Sequence, residues 1–237
     1  MIRTKGSAHQ FVPFSRAYRA KTRLSACRRQ VEDAGIWFVD IPRTGSTSLK
    51  LALAAQFGSE FGKSYLREGA QTTEKVIPDH ATAIQVRQIL SPDLWNRLLT
   101  FSIVRNPWDR YYSLFRYRIA NNEIPAAFPF SEYLALLERH NTRHPYTPFV
   151  YPPFFMPMCD FVLDEEGNQL VNHIGRFEQW EDCMAMFKEK MDLDFSGLSR
   201  AEVLGKPGDF RKAYCSEGVE IIARIYRDDV ERFGYDF

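Results

Sequence analysis

The chain has 237 residues, 45% of them hydrophobic, which is enough to bury the core of one domain and short for two. Lys and Arg total 31 against 30 for Asp and Glu, and a net charge of +1 excludes a globally basic nucleic-acid coat and a polyacidic tail. The charge is unevenly placed: residues 1–30 hold eight basic residues and no acid, so the rest carries −7. We therefore expect a basic N-terminal arm over residues 1–30 and one folded domain over 31–237.

Cysteine usage and hydropathy indicate where such a protein works. Four cysteines lie far apart with no C-x-x-C spacing, and no carboxylate and histidine cluster has metal spacing, so we expect reduced thiols and no metal site. No apolar run approaches the roughly 18 residues that span a bilayer, and the basic head lacks the apolar stretch of a secretory signal. These features predict a cytoplasmic protein without a transmembrane segment. An organelle presequence is the alternative interpretation of the head, which has too few aromatics to predict nucleic-acid binding.

Two strand–turn–helix units set the fold class. An apolar run over 35–41 ends at Pro42, and a helix follows from Thr47 to Gly58. A second apolar run over 98–104 is followed by a helix that begins near Trp108. Strands joined through helices predict a single α/β domain with a central parallel sheet flanked by helices. Because ligands bind at the carboxyl ends of such strands, we expect residues 42–48 and 105–113 to lie together.

The remaining segments give weaker patterns. We expect a loop over 58–79, a helix over 81–90, a short helix from Ser91 and a helix over 181–191. Five prolines exclude an α-helix over 145–157, whose aromatics could line an acceptor site or form a rigid loop. The sequence also predicts a hairpin that pairs 159–163 with 170–174, and a last helix capped by Ser216 and ended by Gly234.

The turn after the first strand has the composition of an anion site. Residues 42–48 read PRTGSTS, so a charged Arg43, several hydroxyls and a helix N-terminus converge there. The G-x-x-x-x-G-K-(S/T) pattern is missing, which disfavours an ordinary Walker ATPase. This loop predicts a phosphate-type cradle, and a capped helix after a glycine turn is the alternative interpretation.

The turn after the second strand supplies another candidate. Arg105 stands at a strand end, and Ser113 lies two helical turns further on, so both can face one anion. An ion-paired structural role is the other interpretation of Arg105, and it is the one we favour for Arg110 and Arg116.

Together the two segments resemble the sulfotransferases that use 3′-phosphoadenosine 5′-phosphosulfate (PAPS). In that family a P-K-(S/T)-G-(G/S/T)-T-S loop holds the 5′-phosphosulfate, and R-(N/D)-P-x-x-R-x-x-S holds the 3′-phosphate. Residues 41–48 are similar to the first, with Arg43 where the family usually has Lys, and residues 105–113 fit the second at every fixed position. Segments similar to the bacterial and carbohydrate branch extend the resemblance over about residues 36–237: 79–83, 174–178 and 228–235.

The resemblance implies a P-loop-like phosphosulfate-binding loop, PAPS as co-substrate, adenosine 3′,5′-bisphosphate (PAP) as product, and no metal. Arg43 would also neutralise charge on the departing oxygen. Because its guanidinium is planar where the ammonium of Lys is a point charge, the geometry could differ, and a slower or lost reaction is the alternative. Phe177 falls where relatives place an aromatic residue near the adenine, although a core position suits it equally. The nucleotide-binding residues implied are Arg43, Thr44, Gly45, Ser46, Thr47, Ser48, Arg105, Ser113 and Phe177.

His80 is the candidate general base. The related carbohydrate enzymes have a histidine a little over twenty residues before the 3′-phosphate arginine, where it deprotonates the acceptor hydroxyl. Without the resemblance, a cap or surface residue is the better interpretation of one histidine at a helix start. Glu178 could orient a loop or pair with Arg176, and we expect no catalytic role for it.

The resulting expectation is sulfuryl transfer from PAPS to a hydroxyl on a carbohydrate or other small metabolite, with His80 and Arg43 as catalytic residues. An atypical nucleotide-dependent kinase is one alternative, but we cannot place the acidic metal ligands it would need. A nucleotide-binding module that has lost catalysis through Arg43 is the other.

Overall fold

The computed structural model describes residues 27–57, 77–143, 152–193, 195 and 209–237. Within these ranges a parallel sheet has three strands, ordered β1 (Ile36–Val39), β2 (Leu99–Val104) and β3 (His173–Arg176). Ile36 pairs with Leu99, and Phe101 pairs with His173. Helices flank the sheet, so the chain is a single α/β domain with a central parallel sheet, as the strand–turn–helix units predicted.

The sheet is buried because helices cover it. All four residues of β1 are buried, as is typical of parallel strands with both faces covered. The two polar residues of β2 are satisfied, since Thr100 bonds Asn172 and Ser102 donates to the Val39 carbonyl. Phe101 packs against Phe38 and against Phe187, with ring centroids 5.2 and 4.6 Å away. The core therefore runs from the sheet into a helix near the end of the chain.

The helices fall mostly where periodicity predicted them. The described segments contain α1 (27–34), α2 (Ser46–Phe57), α3 (Ala83–Leu90), α4 (Pro92–Trp95), α5 (Pro107–Ala120), α6 (Phe130–Arg143), α7 (Cys159–Val162), α8 (Trp180–Met191), α9 (Ser216–Ile225) and α10 (Arg227–Phe233). Short 3₁₀ turns cover Pro152–Phe154, Phe177–Gln179 and Asp209–Ala213. The sequence patterns did not predict α6.

Local capping fixes the start of several helices. Thr82 and Gln85 form a reciprocal capping box at α3, and the Ser91 side chain accepts from Leu94 N at α4, as its Ser-Pro start predicted. Asn106 caps α5 by accepting from Trp108 N and Asp109 N. The turn that follows β2 therefore leads directly into a capped helix.

The predicted hairpin is wrong. Residues Cys159–Val162 form α7, and across the turn an isolated antiparallel bridge joins Leu163 to Gln169. Two hydrogen bonds flank this bridge, from Asp164 N to the Asn168 carbonyl and from Leu170 N to the Val162 carbonyl. The last two residues of the second arm, His173 and Ile174, instead begin β3, which pairs in parallel with β2. The reason lies outside the segment: Asp229 accepts from Met158 N and Cys159 N at 2.8 Å each, which satisfies the first turn of a helix.

The last predicted helix is two helices, because the backbone leaves helical geometry at Tyr226 (φ −107°, ψ 34°) between α9 and α10. Cys215, not Ser216, occupies the cap position, and it makes no side-chain cap bond. Gly234 ends the pair in the left-handed conformation, as predicted.

The predicted boundary at residue 30 cuts through a packed helix. In α1, Cys27 and Val31 are buried in the core, and Arg28 donates twice to the Ile89 carbonyl. Residues 27–30 of the predicted arm therefore pack on the domain. Residues 1–26, the 58–76 part of the loop predicted over 58–79, and the 145–151 part of the proline-rich segment lie outside the described residues. The end of that segment forms the 3₁₀ turn Pro152–Phe154.

The four cysteines are free thiols, three of them buried. In the described part of the chain, no helix combines the length and apolar character that crossing a membrane requires.

Candidate functional site

The loop between β1 and α2 is a tight turn held from beneath by aromatic rings. Arg43 and Gly45 have φ of 68° and 87°, in the left-handed region. A Cβ on Gly45 would lie 2.6 Å from Trp180 Cζ3 and 3.1 Å from the Phe177 ring. Glycine is therefore required both by its backbone angle and by the close approach of the rings. The turn aims the first N–H groups of α2, which lack intrahelical acceptors, out of the carboxyl end of the sheet.

The hydroxyls of this loop differ in their surroundings. Thr44 is buried and donates to the Ile41 carbonyl at 2.9 Å, so it stabilises the turn. Ser46 and Ser48 are buried in the first turn of α2, whereas Thr47 is exposed. The predicted cradle thus contains three buried hydroxyls and one exposed hydroxyl. The hydroxyl of Thr44 is already used in a hydrogen bond within the loop.

The side chain of Arg43 joins the two predicted segments. Its Nε and Nη2 lie 3.3 and 3.1 Å from Ser113 Oγ, to which they donate. The guanidinium also stacks on Tyr117, 4.5 Å from the ring centroid. Ser113 and Tyr117 are both on α5, so this helix carries the groups that orient Arg43. The carboxyl ends of β1 and β2 meet as their parallel pairing predicted.

Arg105, at the end of β2, is held from three sides. Its Nε donates to Asp109 at 2.8 Å, and its Nη1 donates to the Arg43 carbonyl at 3.0 Å. Its guanidinium lies 4.1 Å from the centroid of the Phe177 ring, which is buried. Ser113, Arg43, Arg105 and Phe177 therefore form one continuous chain of contacts.

Arg110 has a structural role, as expected, but its hydrogen bonds go to backbone carbonyls where an ion pair was expected. It is buried and donates to the carbonyls of Pro42, Met156 and Pro153 at 3.0, 2.9 and 3.4 Å. Burial lowers the pKa of this guanidinium, but an arginine remains charged. Arg110 thus ties the first loop to the segment before α7 and adds positive potential beneath the site.

The turn after β2 has a support that sequence reasoning missed. Glu178 Oε1 accepts from Asn106 N at 2.6 Å, and Glu178 Oε2 accepts from the Tyr235 hydroxyl at 3.2 Å. Asn106 Nδ2 in turn donates to the Asp236 carbonyl at 2.7 Å. Glu178 therefore orients a loop, one of the two roles that its sequence suggested, while nothing in the sequence indicated Tyr235 or Asp236 as its partners.

His80 contacts Asp40, the residue that follows β1. It adopts φ 55° in the turn before α3, and its Nδ1 is 3.0 Å from Asp40 Oδ2. The Phe154 ring lies 5.7 Å from the imidazole, and Phe154 is in turn 6.2 Å from Tyr117, the ring beneath Arg43. His80 is thus connected to the loop through Asp40 and through these two aromatic rings.

Asp40 is a further residue of this site that sequence reasoning missed. It follows β1 directly, is buried, and accepts from Lys50 Nζ at 2.7 Å. Burial alone would raise the pKa of Asp40, but the hydrogen bond and charge of His80 and Lys50 hold that pKa well below its usual range. The only sequence signal was an acidic residue at the end of a buried apolar run.

Among the described residues, no group of three or more His, Cys, Asp or Glu side chains could hold a metal ion. The groups brought together here are two guanidiniums, which are cations, the N-terminus of α2 with its partial positive charge, and the hydroxyl of Ser113, and such groups can bind an anion. A histidine with a carboxylate partner lies beside it.

One of the comparisons with known proteins identifies a family. A model of the sulfotransferase family matches residues 29–236, which include both loops, all three strands and His80. No curated protein and no solved structure matches the chain. The family match covers far more than half of the chain, and its members transfer sulfuryl groups. The chain therefore belongs to the sulfotransferase family.

Proposed function

We propose that this sulfotransferase takes its sulfuryl group from PAPS and transfers it to a hydroxyl on a carbohydrate or other small metabolite. The observation that carries the proposal is the contact of Arg43 with Ser113 of α5, which joins the loop after β1 to the helix that follows β2 in one cationic site. A donor with phosphate groups at both its 5′ and 3′ positions needs two anion sites close together, and the two loops can supply them.

The donor-binding roles divide between the two loops. Arg43, the hydroxyls of Ser46, Thr47 and Ser48 and the N-terminus of α2 bind the 5′-phosphosulfate. Arg105 and Ser113 bind the 3′-phosphate. Phe177, which we expected near the adenine, is buried beneath Arg105, so it acts on the nucleotide by holding that guanidinium in place.

The reaction requires one proton transfer and one displacement at sulfur. The acceptor oxygen forms a bond to sulfur as its proton moves to His80, and the bond from sulfur to the 5′-phosphate oxygen breaks. The departing electron pair stays on that phosphate oxygen, where Arg43 neutralises the developing charge. Positioning and charge neutralisation are thus the main sources of rate, as in phosphoryl transfer.

The aromatic rings beside His80 suggest where the acceptor lies. Phe154 is near the imidazole, and Tyr117 is beneath Arg43, so the two half-buried rings lie between the proton acceptor and the leaving-group cation. Such faces stack on sugar rings or flat acceptors.

The test is a screen of hydroxyl acceptors with labelled PAPS, followed by mass spectrometry of the products. We expect a product heavier by one sulfuryl group and an equal amount of PAP. PAP binding without turnover on any acceptor would favour the catalytically lost module. The same screen with labelled ATP covers the kinase alternative, in which phosphate and not sulfate reaches the acceptor.

A further inference from the structure

The imidazole nitrogen of His80 that faces Asp40 is Nδ1. Nδ1 lies 3.0 Å from Asp40 Oδ2 and 3.1 Å from the Asp40 backbone carbonyl oxygen. Both of these partners are hydrogen-bond acceptors, so Nδ1 carries the proton in the neutral ring and Nε2 carries the lone pair. This is the tautomer that a base acting through Nε2 requires.

The carboxylate of Asp40, which accepts from Nδ1, is buried and has a second hydrogen-bond donor. Asp40 is 5% exposed, and its Oδ2 accepts from Lys50 Nζ as well as from His80. A buried carboxylate is costly unless cations or donors compensate it, so the acid, the lysine and the imidazole form one coupled group. Asp40 leads from the end of β1, Lys50 belongs to α2 and His80 precedes α3, so three separate elements converge on this contact.

The charges that face the imidazole act in opposite directions. The negative charge of Asp40 favours the imidazolium, whereas the positive charge of Lys50, which contacts the same Asp40 oxygen, disfavours it. A further acidic residue, Asp79, precedes His80 in the turn. Phe154 covers the ring from the segment before α7. His80 also holds a left-handed φ of 55°, a conformation that costs free energy in a residue other than glycine and recurs at functional sites.

We propose that Asp40 is the positioning residue for the base: it fixes His80 with Nδ1 protonated and stabilises the imidazolium that forms when Nε2 takes the acceptor proton. Asp40 stays ionised throughout, and the proton remains on the imidazole until solvent removes it. The kinetic part of this role rests on the proposed function. The tautomer and the charge coupling rest on the geometry alone.

The test uses the full chain with ¹⁵N-labelled histidine, and His80→Gln assigns the His80 signals. Nitrogen shifts report which ring nitrogen carries the proton, and their pH dependence gives the titration midpoint. We expect the parent to show the Nδ1–H form. Asp40→Asn should move the midpoint lower, because an anion is lost, whereas Lys50→Met should move it higher, because a cation is lost. Asp93→Asn, an exposed acid on α4, should leave the midpoint unchanged.

An Nε2–H tautomer in the parent, or an unmoved midpoint in Asp40→Asn and Lys50→Met, would overturn the proposal. A generally loosened structure cannot produce shifts of opposite sign, so the pair separates positioning from folding. In the kinetic experiment, with labelled PAPS and an acceptor from the screen, kcat/KM of Asp40→Asn should fall about tenfold or more while PAP affinity is retained. A parent that sulfates no acceptor contradicts the proposed function, and the NMR result then decides the role of Asp40 by itself.

Discussion

At the scale of single residues, Arg43 combines charge and shape. It holds a left-handed φ of 68°, a conformation that is unfavourable for residues other than glycine. Three contacts hold it there: hydrogen bonds to Ser113, stacking on Tyr117, and the hydrogen bond from Arg105 to its carbonyl. The planar guanidinium thus finds a matching surface in this chain at a position where the family usually has Lys.

Substitutions at Arg43 separate its charge from its bulk. Arg43→Met should lower kcat/KM about 100-fold, equivalent to about 3 kcal/mol of lost transition-state stabilisation, because it keeps the size and removes the charge. Arg43→Lys keeps the charge and should retain substantial activity. Initial rates with labelled PAPS measure both. A methionine variant as fast as the parent would reduce Arg43 to a structural loop residue.

Gly45 sets the space for the loop. Gly45→Ala should lower the free energy of unfolding by about 2–5 kcal/mol, since its left-handed φ strains an alanine and its Cβ meets the Trp180 ring. Gly167→Ala is the matched control: its φ is also left-handed, at 82°, but a Cβ added there would meet nothing within 4 Å beyond its chain neighbours. Only the backbone strain of about 1–2 kcal/mol therefore applies. Urea unfolding measures both. Equal losses would show that the rings leave room for a side chain.

At the scale of secondary-structure elements, the site is supported by parts of the chain far from either loop. Glu178, after β3, links the turn after β2 to Tyr235, beyond α10, and Asp236 bonds the same turn through Asn106. The position of Arg105 therefore depends on residues 72 or more positions away in the chain.

Removing this support should weaken both stability and nucleotide binding. Glu178→Ala leaves the buried Asn106 N–H without its acceptor, which costs about 1–3 kcal/mol, and it should raise the Kd for PAP. Tyr235→Phe loses one hydrogen bond and should cost about 0.5–1.5 kcal/mol. Glu189→Ala, exposed on α8, serves as control. Urea unfolding and calorimetry provide the measurements, and a Glu178→Ala variant that matches the control would contradict the support.

Long-range contacts of this kind explain why the sequence predicted some elements and not others. The units β1–α2 and β2–α5 follow from local apolar runs, caps and turns, so both loops were predicted at their correct places. A short apolar run such as 159–162 does not distinguish strand from helix. Asp229, about 70 residues away, makes it helical. For the same reason the proximity of Arg43, Arg105 and Ser113 could be predicted from the two local units, whereas the contacts of Asp40 and the partners of Glu178 could not.

At the scale of the whole molecule, we expect the boundary of the domain to lie before α1, because Cys27 and Val31 of this helix are buried in the core. Removing residues 1–26 should leave the free energy of unfolding and PAP affinity unchanged, because the basic head lies outside the family match. Removing residues 1–30 should lower the free energy of unfolding by about 1–3 kcal/mol, since it also deletes buried Cys27 and the Arg28 bonds to Ile89. Urea unfolding of the two truncated proteins measures the difference. Equal stability of both would show that α1 adds nothing to the core.

The central claim is that two loops at one edge of the sheet form a single site for a nucleotide phosphorylated at both its 5′ and 3′ positions. The most direct measurement is calorimetric titration with PAP and, separately, with adenosine 5′-phosphate, which lacks only the 3′-phosphate. Because charge-assisted hydrogen bonds from Arg105 and Ser113 contribute about 1.5–3 kcal/mol, PAP should bind about tenfold to a hundredfold more tightly. Equal dissociation constants for the two nucleotides would contradict the account.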